Sequence, residues 1–265
     1  MDDLHQSISD ALHSLMSSAV RGIGRAVRPV YYATGSGRPD HLGSCILLNT
    51  GSKRILLTAA HVIDENKVAS LYIPVNGTLQ RLEGSGIITV APKGKRDDDH
   101  YDFAALDLPP KLANSLGAVR YVEPHEIQMT IASRKPHMAL GFPTSKNRKR
   151  IDHQSRRVNP QRFSHGGPLW LPNMGETAEY LEPHLLRLIY EKQSRAFDGS
   201  IVNSIGPKGL SGGGLFCLGQ IDTTGTPQEE AKLAGVLIEK RRGEKSILAT
   251  DISLVLDMLE APVGP

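Results

Sequence analysis

The chain has 265 residues, of which 22% are charged and 39% hydrophobic, with a formal net charge of +3. That is the balance of an ordinary soluble globule, long enough for one large all-β domain or two small lobes sharing a core. The charge is too mild to imply nucleic acid by itself, and no window nears the roughly 18 consecutive apolar residues of a membrane span.

Residues 4–23 set Leu4, Ile8, Ala11, Leu12, Leu15, Met16, Ala19, Val20 and Ile23 at helical spacing, with Gly22 and Gly24 offering the stop. An amphipathic helix is expected over 1–24, packed against the body of the protein. Docking to a partner or a membrane surface is the alternative, and with only Arg21 and Arg25 basic the membrane version is the weaker. The segment has neither a basic start nor a long apolar core, so no secretory signal is expected.

After Gly24 the texture changes to short apolar runs divided by Gly, Pro, Asn and Asp. Expected strands are 27–34, 43–48, 54–58, 68–73, 87–90, 104–108, 128–131, 138–141, 185–190, 215–218, 234–238 and 246–250. Residues 251–259 then read as a closing helix, through Ile252, Leu254, Val255, Met258 and Leu259. Many short strands with one helix at the end point to β-barrels rather than alternating β and α units. Residues 145–162 hold seven basic residues against the single acid Asp152 and are expected to form a surface loop. Docking of an acidic protein or a nucleic acid is the alternative there, the nucleic-acid version weakened by the lack of interleaved aromatics.

Three separated segments carry chemistry. A hydroxyl is a poor nucleophile unless a base takes its proton, the base needs an acceptor to fix its tautomer, and the resulting oxyanion needs preorganised donors. In Leu56–Val62 an apolar run enters small residues that present His61. In His100–Leu106 a single acid, Asp102, precedes an apolar strand. In Gly209–Gly214 glycines surround Ser211, so the chain can turn tightly with its N–H groups aimed at one point. Nearby, Asp107 reads as a strand end and His100 as a solvated residue of an acidic turn. This chemistry requires no cofactor or metal.

The segments TAAH, YDFAAL and GLSGGG resemble, in order, the three signature blocks of trypsin-like serine peptidases. The resemblance spans roughly residues 30 to 258. It implies an all-β fold of two packed six-stranded antiparallel barrels, a first over 25–125 with His61 and Asp102 and a second over 126–265 with Ser211. It also implies roles: Ser211 as nucleophile, His61 as base and then acid, Asp102 as its orienter, and the N–H groups of Gly209 and Ser211 as the oxyanion hole.

The chain departs from secreted members of that family. Leu210 stands where they have an aspartate that pairs with a new N-terminus, so activation by N-terminal cleavage is not expected. In this it resembles the bacterial HtrA-type branch, as does the turn Ala139–Thr144, though no PDZ module is expected after the closing helix. The missing ion pair and the glycine-rich loop suggest a serine loop disordered at rest and switched on by a partner or ligand. Cys217 lies where secreted relatives have a bridged cysteine, but His137 occupies the partner position. Two cysteines without a bridge fit a reducing, cytoplasmic setting. By family spacing Ile205 floors the primary pocket and Ile238, Glu239 and Lys240 form its wall. An apolar floor favours cleavage after small or medium apolar residues, although Glu239 would support a basic preference. The expected function is a regulated intracellular bacterial serine endopeptidase acting on proteins or peptides. The alternatives are a catalytically silent domain of the same fold used as a binding module, and nucleic-acid binding through 145–162.

Overall fold

Two rings of antiparallel strands, with a helix at either end of the chain, make up the computed structural model. It describes residues 2–91, 94–116, 119–132, 134–152, 154–155, 157–170, 183–196, 200–220, 230–238 and 245–261. The first ring is built from β1 (Val27–Ala33), β2 (Pro39–Asn49), β3 (Arg54–Ala59), β4 (Leu71–Val75), β5 (Thr78–Arg81), β6 (Ser85–Ile88) and β7 (Phe103–Asp107). β5 and β6 are halves of one strand interrupted at 82–84. The ladder therefore runs from β1 through β2, β3, β7 and this broken strand to β4, which pairs with β1 again.

The second ring contains β8 (His137–Gly141) and, after α4 (Thr144–Asn147) and the short β9 (Ile151–Asp152) and β10 (Arg157–Val158), β11 (Phe163–Gly167) and β12 (Leu185–Ile189). The hairpin of β13 (Gln193–Arg195) and β14 (Ile201–Asn203) follows, then β15 (Gly214–Cys217), β16 (Lys232–Leu237) and β17 (Ser246–Asp251). The order is β11-β8-β15-β16-β17-β12, and the bridge between Leu169 and Leu188 joins its two edges. This is the two-barrel, chymotrypsin-like arrangement expected from the sequence.

Alternation explains how the lobes meet. Successive strand side chains face opposite ways. Cys45 and Leu47 of β2 join Val30, Leu56, Ile73 and Leu106 inside the first ring. Ile46 and Leu48 face out, with Ile55 and Leu57, onto Met138, Leu140, Phe216 and Leu233 of the second. Each such Leu or Ile contributes about 1.5–3 kcal/mol through burial. The helices α1 (Asp2–Arg21) and α5 (Ile252–Glu260) extend this middle layer through Leu15, Met16, Ala19, Ile252 and Val255. The later turns of α1 thus pack on the body, with Gly166 so close to Met16 that a Cβ there would strike its sulfur. Asp251 starts α5, its side chain accepting from the Ser253 N–H at 2.9 Å.

Several local expectations need correction. Residues 145–162 are not a plain loop: β9 and β10 form a hairpin whose Arg157 pairs with Thr78 of β5. Ile151 and Val158 bury against Tyr31, and Asn147 holds the hairpin's base through the Pro143 and Gln161 carbonyls at 2.9 and 3.0 Å. Residues 128–131 form no strand, and the fourth run begins at Leu71 rather than at 68. The helix α3 (Pro110–Ser115) lies where none was expected.

Candidate active site

β3 delivers His61. Its apolar run is buried, and the small Ala59 and Ala60 let the chain turn directly into α2 (Ala60–Asp64). A helix start leaves N–H groups without intrahelical acceptors, and one distant residue supplies them. The Asp102 carbonyl accepts from the Ala60 N–H, and Asp102 Oδ1 from the His61 N–H, both at 2.9 Å. Asp102 Oδ2 accepts from His61 Nδ1 at 2.6 Å. A carboxylate can only accept, so Nδ1 carries the hydrogen and Nε2 is left with its lone pair.

Asp102 is 5% exposed, with φ +37°, a left-handed conformation that Asp tolerates better than most residues. That bend, just before β7, turns the carboxylate back onto α2. Beside it Arg96 donates to Asp99 at 2.5 Å and to Asp64 at 2.8 Å. Thr89 donates to Asp99 at 2.6 Å and accepts from the Phe103 N–H at 3.1 Å. The Tyr101 carbonyl accepts from the Thr250 hydroxyl of β17 at 2.5 Å, which ties this segment to the second lobe.

The serine loop is built from tight turns. The Leu210 N–H donates to the Pro207 carbonyl at 2.9 Å, Gly213 to Leu210 at 2.8 Å, and Gly212 to Leu237 of β16 at 2.7 Å. Gly209 and Gly212 have φ of +92° and +82°, where only glycine is at ease. The N–H groups of Gly209 and Ser211 meet no acceptor among the described residues, which leaves both available to a ligand.

Gly43 of β2 separates the two halves. A Cβ there would lie 2.9 Å from Val62 and 3.1 Å from the Ser211 carbonyl oxygen. A Cβ on Gly212 would lie 2.2 Å from the Thr58 hydroxyl, three residues before His61. His61 and Asp102 are therefore joined directly, and the Ser211 backbone lies across Gly43 from Val62, the residue after His61. The third contact is not closed: among the described residues the Ser211 hydroxyl makes no hydrogen bond. Such bonds are often long in unliganded sites and tighten around substrate.

Asp107 ends β7 and pairs with Lys53 at 2.8 Å, and His100 is exposed. The Ile205 carbonyl accepts from the Tyr190 hydroxyl, whose pKa burial pushes up to about 12. Ile238 is buried, its N–H bonded to the Leu248 carbonyl at 2.9 Å. Glu239 and Lys240 lie outside the described residues. Cys45 and Cys217 are buried thiols without a disulfide, and Cys217 stands directly opposite His137 in the β8–β15 ladder. Burial pushes the Cys45 thiol up to about 12, so it is no rival nucleophile. Cavities of about 270 and 370 Å³ lie against α1 and α5, away from these residues.

No protein-family model and no curated protein matches the chain. Among solved structures it is similar to the MamO protease domain from Magnetospirillum magneticum, at 14% identity and a TM-score of 0.49, over 90% of this chain and 98% of that one. It is also similar to a variant of the HtrA-type protease AlgW with a tripeptide, at 16% identity and 0.47, over 91% of this chain and 61% of that one. A third is the active form of the Rv3671c protease from M. tuberculosis, at 14% and 0.48, over 95% and 88%. At these scores the likenesses add nothing to the site, whose case is the geometry above.

One participant escaped the sequence reading. Ser44 of β2 is completely buried, and its hydroxyl accepts from the Phe142 N–H at 2.9 Å while donating to the Gly209 carbonyl at 2.8 Å. Nothing in Gly43-Ser44-Cys45 marks it, because its role comes from a contact across 165 residues.

Proposed function

We propose that the chain is a serine endopeptidase that hydrolyses peptide bonds through an acyl-enzyme on Ser211. The observation that carries this reading is the double engagement of Asp102 with His61, backbone and ring, beside a serine loop with two unengaged N–H groups. In that reading Ser211 Oγ attacks the substrate carbonyl as its proton passes to His61 Nε2. The N–H groups of Gly209 and Ser211 receive the oxyanion, and Asp102 stabilises the imidazolium. His61 then gives the proton to the leaving amine. Water, deprotonated by the same ring, attacks the acyl carbonyl and releases Ser211.

The proposed substrates are proteins or peptides cut after small or medium apolar residues. That preference is supported by Ile205, whose carbonyl is tied back by Tyr190, and by Ile238, neither of which brings a charge to meet a basic side chain. The proposed setting is intracellular and bacterial, with a further protein acting on the serine loop as activator.

Labelling by a fluorophosphonate probe tests the reading. The wild-type chain should be labelled, Ser211→Ala should not, and its peptide turnover should fall by roughly 10⁴-fold or more. Equal labelling of both, or of neither, would leave a silent domain of the same fold.

A further inference from the structure

We propose that Ser44 is the positioning residue of the oxyanion hole, holding the serine loop from the opposite barrel where no carboxylate is present to do so. The inference rests on the peptidase reading and deepens it.

All four hydrogen-bonding positions of Ser44 used in the structure are informative. Its N–H donates to the Ser211 carbonyl at 2.8 Å. Its carbonyl accepts from the Thr58 hydroxyl at 2.7 Å. In an antiparallel ladder a residue's N–H and C=O point to the same side, so both groups of Ser44 face away from Pro29 of β1 and toward Ser211 and Thr58. Its hydroxyl spans the Phe142 N–H and the Gly209 carbonyl. One buried serine thus touches the carbonyls of both residues whose N–H groups would bind the oxyanion.

The direction of those N–H groups follows from peptide geometry. In a trans peptide the C=O and N–H point opposite ways. The Lys208 carbonyl accepts from the Thr144 N–H at 2.8 Å, which aims the Gly209 N–H away from Thr144. Ser44 then fixes the next plane through the Gly209 carbonyl. Both planes flanking Gly209 are held, and a flip of either breaks a buried hydrogen bond. Close packing leaves little alternative, since a Cβ on Gly141 would lie 3.0 Å from Ser44 Oγ and 3.1 Å from Leu210. Leu210, at the position of the missing carboxylate, is buried instead in the second barrel's core.

The test compares the wild-type chain with Ser44→Ala, Ser44→Cys and Thr58→Val. Ser44→Cys is close in shape but has a weak donor, and Thr58→Val removes a neighbouring buried bond that does not reach Gly209. The rate of fluorophosphonate labelling is resolved into kinact and KI, and hydrogen exchange is followed over 206–213. Ser44→Ala should lower kinact by about 10- to 100-fold, short of losing a hole donor outright, with KI within about threefold. Ser44→Cys should fall between it and wild type. Exchange should quicken in both Ser44 variants and change little in Thr58→Val. Wild-type kinact in Ser44→Ala, or equal exchange in Ser44→Ala and Thr58→Val, would overturn the proposal. A wild type that takes no label would overturn the peptidase reading and the catalytic role of Ser44 together. The exchange contrast would still report whether the brace exists.

Discussion

The two halves of the candidate site are held by different means. The His61–Asp102 half lies within one lobe and is fixed by side-chain chemistry, with a carboxylate spanning a helix start and a ring nitrogen. The Ser211 half is fixed largely through its carbonyls and depends on the other lobe, through Ser44 and Gly43. Charge and tautomer matter in the first, the orientation of peptide planes in the second. The two should therefore fail differently.

Asp102→Asn probes the first half with the largest expected effect. Asn keeps an oxygen for the His61 N–H and tolerates the positive φ, so the fold should survive. Its amide would instead face Nδ1 with a donor, leaving the ring to carry its hydrogen on Nε2, the wrong nitrogen for a base. Turnover and fluorophosphonate labelling should fall by about 10⁴-fold, while exchange over 206–213 stays at the wild-type rate. Faster exchange in that loop would mean that the two halves are not separately held.

That contrast also explains what was legible in the sequence. His61, Asp102 and Ser211 stand out because a reactive side chain among small or apolar neighbours is itself the signal. Short apolar runs and turn residues pointed to β-barrels, and the resemblance to trypsin-like serine peptidases implied that there are two. Ser44 left no trace, since a serine inside a strand acquires its role only from the register and from the distant Phe142 and Gly209 that meet its hydroxyl. The β9–β10 hairpin was missed for another reason. Strands of two residues show no periodicity, and Ile151 and Val158 are too few apolar positions to outweigh the basic residues around them.

Acid should act on the serine side. His41 is buried, with Nδ1 3.3 Å from the hydroxyl of Thr144, the residue that holds the Lys208 carbonyl. Burial lowers its pKa to about 4, Asp40 opposes this weakly, and the Tyr31 ring meets it edge-on. The unfolded chain takes up that proton near pH 6.5. Between about 6.5 and 4 the unfolded state holds the extra proton, so this contribution is fully present above 6.5 and lost as pH falls through the window. It amounts to roughly 3 kcal/mol. Burial also lowers His137 and His165, which adds in the same direction. Denaturation midpoints should drop from pH 7 to pH 4.5, less steeply in His41→Phe. An unchanged slope in that variant would remove His41 from the account.

The smallest effect is expected where an acid lies on the same strand but outside both halves. Asp107 follows Asp102 by five residues, yet its side chain is 42% exposed and its partner Lys53 60% exposed. Water screens such a pair, and ordering the long lysine offsets much of the attraction, so it is worth less than about 1 kcal/mol. Asp107→Ala should leave labelling within twofold of wild type and move the denaturation midpoint only slightly, and less still in high salt. A large loss of labelling would show that charge acts on His61 from beyond its direct partner. The first half of the site would then be less self-contained than its two bonds to Asp102 imply.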